Sequence, residues 1–142
     1  MTSIRFSIFL ASIICFLTLS CKKEDTANTA NTNIANIINQ GTWRVSLYSD
    51  SGSDETYYFN NFSFVFSNGN ITASHNSTVV TGTYSTIFDD NKNKLILNFG
   101  TTLPFDELND DWHIIEESPS KIRLEDVSGG NGGIDLLTFE KN

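Results

Sequence analysis

The sequence predicts an all-β domain: a small up-and-down antiparallel barrel of about eight strands, with a two-sheet β-sandwich as the alternative. Three observations predict this class. Apolar and polar residues alternate through most of residues 41–142, which is the period of a strand with one buried face. Short turn-forming sequences separate the alternating segments. The same region contains no segment with the length of a crossover helix, so neighbouring strands must pair antiparallel.

Before this domain, the sequence divides into two further parts. Residues 1–20 contain one cation, Arg5, followed by an apolar run. This is the layout of a secretory signal, and the run is too short to span a bilayer. Residues 21–40 form a polar tether that ends in a short helix. The helix is predicted over 33–40, because isoleucines recur there at spacings of three and four residues. We expect this helix to cover one end of the barrel.

The predicted strands follow in chain order: 42–48, 62–67, 71–75, 79–87, 94–99, 112–117, 121–127 and 135–141. Strict alternation in the first strand places Trp43, Val45 and Leu47 on one face. Asn68-Gly69 predicts a type I′ hairpin, because both residue types accept a positive φ. Gly82 lies inside a strand and predicts a bend or bulge.

Other segments connect these strands. Residues 57–59 are expected to form a short apolar segment at the rim, and 104–110 one helical turn or a rim loop. The glycine-rich stretch 129–133 predicts a wide turn rather than a phosphate-binding loop, since no helix and lysine follow it.

The composition excludes several classes of function. The formal net charge of the 142 residues is −8, and removal of Arg5 with the signal makes it −9. Nucleic acids and anionic lipid headgroups attract clustered cations, so neither is an expected partner. The two cysteines are Cys15, inside the signal, and Cys21. The domain is therefore expected to fold without a disulfide.

Cys21 carries the most specific motif. Leu17-Thr18-Leu19-Ser20-Cys21 resembles a bacterial lipobox, whose cysteine is acylated and becomes the mature N-terminus. The resemblance implies palmitate-type lipid attachment at Cys21 and anchoring in the outer membrane. Two short motifs after it resemble signals of surface export, Lys22-Lys23-Glu24-Asp25, and of O-glycosylation, Asp25-Thr26-Ala27. They leave open whether the domain faces the periplasm or the cell surface.

The domain resembles the lipocalin-like lipoproteins of Bacteroidetes-type bacteria. Gly41-Thr42-Trp43 matches the motif that opens the first lipocalin strand. The further resemblance lies in residues 95–100, 104–112, 126–133 and 137–141. It implies a lipocalin-like barrel that binds a small ligand, although the chain is shorter than true lipocalins and lacks their long C-terminal helix.

Two sets of apolar residues are candidate binding sites. One set would line an interior ligand cavity, or fill the interior as a packed core: Trp43, Phe62, Phe64, Phe66, Leu97, Phe99, Leu124 and Phe139. The other set would contact a partner from the rim: Tyr57, Tyr58, Phe105 and Trp112.

Catalytic and metal-binding patterns are sparse. His75 and His113 lie on separate predicted strands without a nucleophile motif, so the chain is expected not to be an enzyme. Residues 89–93 favour a hairpin turn over a calcium loop. The acids Asp106, Glu107, Asp110 and Asp111 favour a solvated loop over a cation site. No metal and no cofactor is predicted.

Two functional hypotheses follow. The first is a lipid-anchored, non-enzymatic, lipocalin-like protein of the cell envelope that binds a small apolar or amphipathic ligand. The alternative is a surface interaction module with a filled core, which binds a protein or glycan partner through its rim.

Overall fold

Nine strands form one antiparallel sheet in the computed structural model, which describes residues 33–127 and 133–142. The strands are β1 Trp43–Asp50, β2 Ser53–Asp54, β3 Ser63–Ser67, β4 Asn70–His75, β5 Thr78–Asp89, β6 Lys92–Asn98, β7 Asp110–Ser118, β8 Lys121–Val127 and β9 Ile134–Lys141. A short helix, α1, covers 33–38. Two 3₁₀ turns lie at Thr56–Phe59 and Phe105–Leu108.

Eight of these strands close into a barrel. Consecutive strands from β3 to β9 pair with each other, and β9 returns to pair with β1. The ring is completed between β1 and β3 by the pair Trp43 and Phe64. The two-residue β2 pairs only with the end of β1. The predicted up-and-down barrel is therefore confirmed, and the sandwich alternative is excluded because its two sheets would not share a closed ring.

The two ends of the barrel are covered by different elements. At the end where β1 begins, Ile34 and Ile38 of α1 are fully buried, and the Trp43 indole N–H donates to the Ile38 carbonyl oxygen at 2.9 Å. The predicted helix is thus confirmed, and we call this the helix end. The two 3₁₀ turns lie at the opposite end, the 3₁₀ end, where the Tyr48 hydroxyl donates to the Glu107 carbonyl oxygen at 3.1 Å.

A β-bulge in β1 changes the predicted face of its second half. Val45 is opposite Phe139 and Leu47 is opposite Thr138, so the register shifts between them. The extra residue places Tyr48 in the core, 3 % exposed, while Leu47 is half-buried. The prediction that Leu47 shares a face with Trp43 is therefore wrong, because the bulge interrupts the alternation.

The turns largely follow their sequences. Asn68 and Gly69 have φ values of 51° and 78°, as the predicted type I′ hairpin requires. The predicted turn at 89–93 is also confirmed, since Asp89 pairs with Lys92 across a two-residue loop. Gly82, by contrast, lies in an uninterrupted register with β4, opposite Ile71, and the register with β6 begins at the next residue. A Cβ there would lie 2.5 Å from the Asn98 carbonyl oxygen, so close approach of the backbone, rather than a bulge, requires glycine.

Several sequence predictions fall on residues that the structure does not describe. The signal, the tether up to residue 32 and Cys21 lie outside the described residues, as does most of the glycine-rich turn. The division into a signal, a tether and a domain stays a prediction.

Candidate functional site

The residues predicted to line an interior cavity are packed against one another. Seven of the eight are buried within one hydrophobic cluster, at 0–4 % exposure: Trp43, Phe64, Phe66, Leu97, Phe99, Leu124 and Phe139. The eighth, Phe62, is half-buried and packs against the same cluster. The ring of Phe139 lies 5.5 Å from those of both Phe64 and Phe66 in edge-to-face geometry. These side chains fill one another's space rather than bordering an opening.

Phe105 is the centre of this packing at the 3₁₀ end. Its ring centroid lies 5.0 Å from Phe62, 5.3 Å from Phe99 and 5.7 Å from Phe59, and a fourth ring, that of Phe64, lies at 6.3 Å. The second 3₁₀ turn therefore inserts a phenylalanine into the mouth of the barrel. A ligand that entered from this end would have to displace Phe105.

The predicted rim residues separate into two pairs. Tyr57 and Tyr58 are 59 % and 41 % exposed, with ring centroids 4.2 Å apart. Phe105 and Trp112 are each 2 % exposed, and the Trp112 indole N–H donates to the Leu108 carbonyl oxygen at 3.0 Å. The prediction that Phe105 and Trp112 contact a partner from the rim is therefore corrected, because the 3₁₀ turn buries Phe105 and β7 buries Trp112.

Leu103 and Pro104 extend the exposed tyrosines into a larger apolar surface. Leu103 is 76 % exposed, the highest fraction among the exposed large apolar residues of the described chain. We call Tyr57, Tyr58, Leu103 and Pro104 the rim patch. Leu103 and Pro104 are not among the binding residues predicted from the sequence. The sequence feature that could have indicated them is an apolar leucine–proline pair in the polar loop that follows β6.

A pocket of about 380 Å³ opens within this patch, which we call the rim pocket. Its lining consists of Glu55, Tyr58, Leu103, Pro104 and Glu107. The pocket therefore combines an aromatic ring and aliphatic carbon with two carboxylates. Its volume is within the range of about 300–1,000 Å³ that is usual for ligand sites.

The electrostatics of the 3₁₀ end favour positively charged ligands. Partial removal from water raises the pKa of Glu107, and the carboxylates of Asp106 and Glu55 raise it further. Among the described residues, neither Glu55 nor Glu107 forms a salt bridge. The hydrogen bond with Tyr58 raises the pKa of Tyr57 to about 12, so the Tyr57 phenol is neutral near pH 7.

Charge is unevenly divided between the two halves of the barrel. All six cations of the described chain lie on the strand halves nearer the helix end: Arg44, Lys92, Lys94, Lys121, Arg123 and Lys141. Ten of the fifteen described acids lie in the other half: Asp50, Asp54, Glu55, Asp106, Glu107, Asp110, Asp111, Glu125, Asp126 and Asp135. The rim pocket is therefore located within a field of one sign.

A second, larger concavity runs along the seam between β1 and β3. This seam groove has a volume of about 600 Å³ and a mostly polar lining that includes Arg44, Asn60, Asn61 and Glu140. Arg44, the one cation of this lining, already has partners within the protein. It donates hydrogen bonds to the Glu140 carboxylate at 2.6 Å and to the Lys141 carbonyl oxygen at 3.1 Å. The groove thus offers less uncompensated charge to a ligand than the rim pocket.

The predicted acidic loop does not converge as a unit. Asp110 and Asp111 instead meet Asp126, with one carboxylate oxygen of each within 4.8 Å of the others. Lys94 supplies a cation to this group through a 2.7 Å ion pair with Asp111. This internal pairing is consistent with a structural role for the cluster.

The two histidines make contacts typical of strand residues. The ring of His75 lies 5.6 Å from that of Phe62, and His113 Nδ1 lies 3.1 Å from Lys92 Nζ. They lie on β4 and β7, which are not adjacent in the barrel.

Comparison with known proteins adds no assignment, because no family model and no curated protein matches this chain. Among the described residues, no helix has the length and apolar character needed to cross a membrane.

Proposed function

We propose that the chain is a lipid-anchored, non-enzymatic barrel protein of the bacterial cell envelope, which binds a protein partner through the rim patch. One observation carries the proposal: the interior is occupied by phenylalanine rings, while Tyr57, Tyr58 and Leu103 are exposed at the 3₁₀ end. Exposed apolar patches with a polar surround commonly mark interaction sites. The resemblance to lipocalin-like lipoproteins supports the envelope location.

An interior ligand is less favourable than a surface partner. Burying a phenylalanine side chain contributes about 1.5–3 kcal/mol, and a ligand in the barrel mouth would have to displace Phe105 from its contacts with four other rings. The small apolar or amphipathic ligand expected from the sequence would therefore have to bind at the surface.

The position of α1 gives the proposed anchor an orientation. The described chain enters the barrel through α1 at the helix end, so a lipid on Cys21 would hold that end nearer the membrane. The rim patch would then face away from the bilayer, where a partner can reach it.

A photo-crosslinking residue placed at Tyr57 tests the proposal in intact cells. The matched control is the same residue at Ile115, which is 43 % exposed on β7, toward the helix end. We expect a discrete crosslinked protein from position 57 only, and its loss when Tyr58→Ala and Leu103→Ala are added. Equal crosslinking from both positions would contradict a specific site.

The anchor is tested separately. We expect a Cys21→Ser chain to remain unprocessed and to lose acyl labelling. Since two membrane-binding signals already give stable anchoring, the native protein should stay with the membrane in high salt. Release by salt alone would contradict the lipid anchor.

A further inference from the structure

The rim pocket has the chemistry to hold a cationic side chain. We infer that the partner inserts a lysine or arginine side chain between Tyr58 and the carboxylates of Glu55 and Glu107. This inference rests on the proposed function and adds the chemical class of the group that is recognised. It concerns a polypeptide partner; the other occupants of such a pocket are outcomes of the test below.

The walls of the pocket match the two parts of such a side chain. Leu103 and Pro104 offer aliphatic surface for the methylene stem, which long cationic side chains bury along apolar surface. The Tyr58 ring, 41 % exposed, can accept an ammonium or guanidinium group over its face. Glu55 and Glu107 supply negative charge on the same lining.

The carboxylates make a neutral occupant less favourable than a cationic one. Neither has a salt-bridge partner among the described residues, so water alone compensates them. An apolar ligand would displace that water without replacing its hydrogen bonds, which costs free energy. A cation replaces the lost hydration with charge-assisted hydrogen bonds.

The wider field of the 3₁₀ end favours the same ligand class. The described segments 50–62 and 98–111, which form most of this end, contain seven acids and no lysine or arginine. A surface of one sign raises the rate at which oppositely charged partners associate, an effect that salt weakens. The helix end, with all six cations, lacks this preference.

The aromatic wall is held in place before binding. Tyr58 packs against Phe59 with ring centroids 6.5 Å apart, and the buried Phe59 ring is 5.7 Å from Phe105. The backbone of Glu107, on the other wall, accepts a hydrogen bond from Tyr48 at 3.1 Å. Such preorganisation reduces the entropic cost of binding.

A titration with matched peptides tests the inference on the full chain in detergent. One pentapeptide contains lysine and arginine. The second has norleucine and citrulline in their places, so it has nearly the same shape without the charges. A neutral oligosaccharide is the third probe. NMR shifts of Tyr58 and Leu103 report on the pocket, and those of Ile115 report on the helix end.

We expect the cationic peptide to shift the pocket signals with an affinity roughly tenfold above that of the neutral peptide. The oligosaccharide should leave these signals unchanged. The change Glu55→Gln with Glu107→Gln should weaken cationic binding by roughly tenfold, and Tyr58→Leu should weaken it while keeping apolar area. The matched control, Asp89→Asn with Asp90→Asn at the helix end, should leave binding unchanged.

Three results would overturn the inference. Equal binding of both peptides would show that the pocket recognises apolar surface, and a response to the oligosaccharide alone would indicate a glycan partner. A pocket that responds to no probe would exclude cation recognition. In each case crosslinking from position 57 still decides whether the rim patch binds a partner, so the two proposals can fail separately.

Discussion

Different kinds of side chain cover the core at the two ends of this barrel. At the helix end, aliphatic side chains of α1 cover the core, and nearby charges are paired, as in the ion pairs of Glu140 with Arg44 and Lys121 at 2.6 and 2.8 Å. At the 3₁₀ end, phenylalanine rings cover the core, while the carboxylates of Glu55 and Glu107 have no ion pair within the described residues.

If the proposed function holds, this difference separates a surface arranged for stability from one arranged for binding. Paired charges at the helix end add a little stability and leave little uncompensated charge for a partner. Unpaired acids at the 3₁₀ end repel one another and cost stability, and selection tolerates such costs mainly at functional sites. The proposed function accordingly involves the 3₁₀ end only.

Truncation of the buried residue at each end is expected to give the largest effects. Phe105→Ala should lower the free energy of unfolding by about 3–5 kcal/mol and Ile38→Ala by about 2–5 kcal/mol, because each leaves a cavity in a packed core. Denaturant unfolding measures both, and hydrogen exchange should localise the loss of protection to the end that is mutated. A cost below about 1 kcal/mol for Phe105→Ala would show that its ring does not fill the barrel mouth.

The close approach at Gly82 should give the next largest effect. A Cβ at this position would lie 2.5 Å from the Asn98 carbonyl oxygen and 2.8 Å from the Phe99 ring, which packs on Phe105. We expect Gly82→Ala to destabilise the fold by about 1–3 kcal/mol through overpacking. The control, Ser85→Ala at an exposed position of the same strand, should change stability by less than about 0.5 kcal/mol. Equal effects would mean that strand propensity, not the clash, determines the residue.

The features that could be predicted from the sequence are those with a local cause. The Asn68-Gly69 turn has both φ values positive, and these two residue types accept that conformation wherever they occur. The helix at 33–38 follows from the spacing of its isoleucines. The strand pattern was likewise visible because alternation depends only on neighbouring residues.

Features that depend on distant pairing could not be predicted in this way. The bulge that puts Tyr48 rather than Leu47 in the core arises from the register of β1 on β9, far apart in sequence. Phe105 and Trp112 are predicted at the rim, but the 3₁₀ turn that contains Phe105 folds over the barrel mouth, and Trp112 is buried on β7. The separation of charge could be predicted in principle, because alternating strand directions place every described lysine and arginine in the half of the barrel nearer the helix end.

Removal of a single charge at each end should change the stability of the fold by small amounts of opposite sign. Glu140→Gln breaks two ion pairs and should cost about 0.5–1 kcal/mol. Glu107→Gln removes repulsion from neighbouring carboxylates and should stabilise the fold by about a few tenths of a kcal/mol. Thermal unfolding at low and moderate salt measures both, and salt should reduce both effects. Destabilisation by both changes would contradict the proposed difference between the ends.

The smallest effect should appear in the response of the two ends to acid. Contact with Lys121 lowers the pKa of Glu140 from its ordinary 4.5, so its stabilising contribution is present above that value and is lost as pH falls through the lowered pKa. Removal from water raises the pKa of Asp110, as it does that of Glu107. Their charged forms therefore destabilise the fold, and protonation relieves this cost as pH falls.

Stability should accordingly plateau or rise slightly below neutral pH before acid unfolding begins. Carboxyl NMR titrations should show Glu107 protonating at higher pH than Glu140 and Asp110 protonating above its ordinary pKa of 3.8. Melting temperatures measured across the same pH range should show the plateau. The double change Glu107→Gln with Asp110→Asn should remove the plateau, because no raised pKa then remains at those positions. A plateau that persists in this variant would have to originate elsewhere, and the 3₁₀ end would no longer be the half of the barrel that carries uncompensated charge.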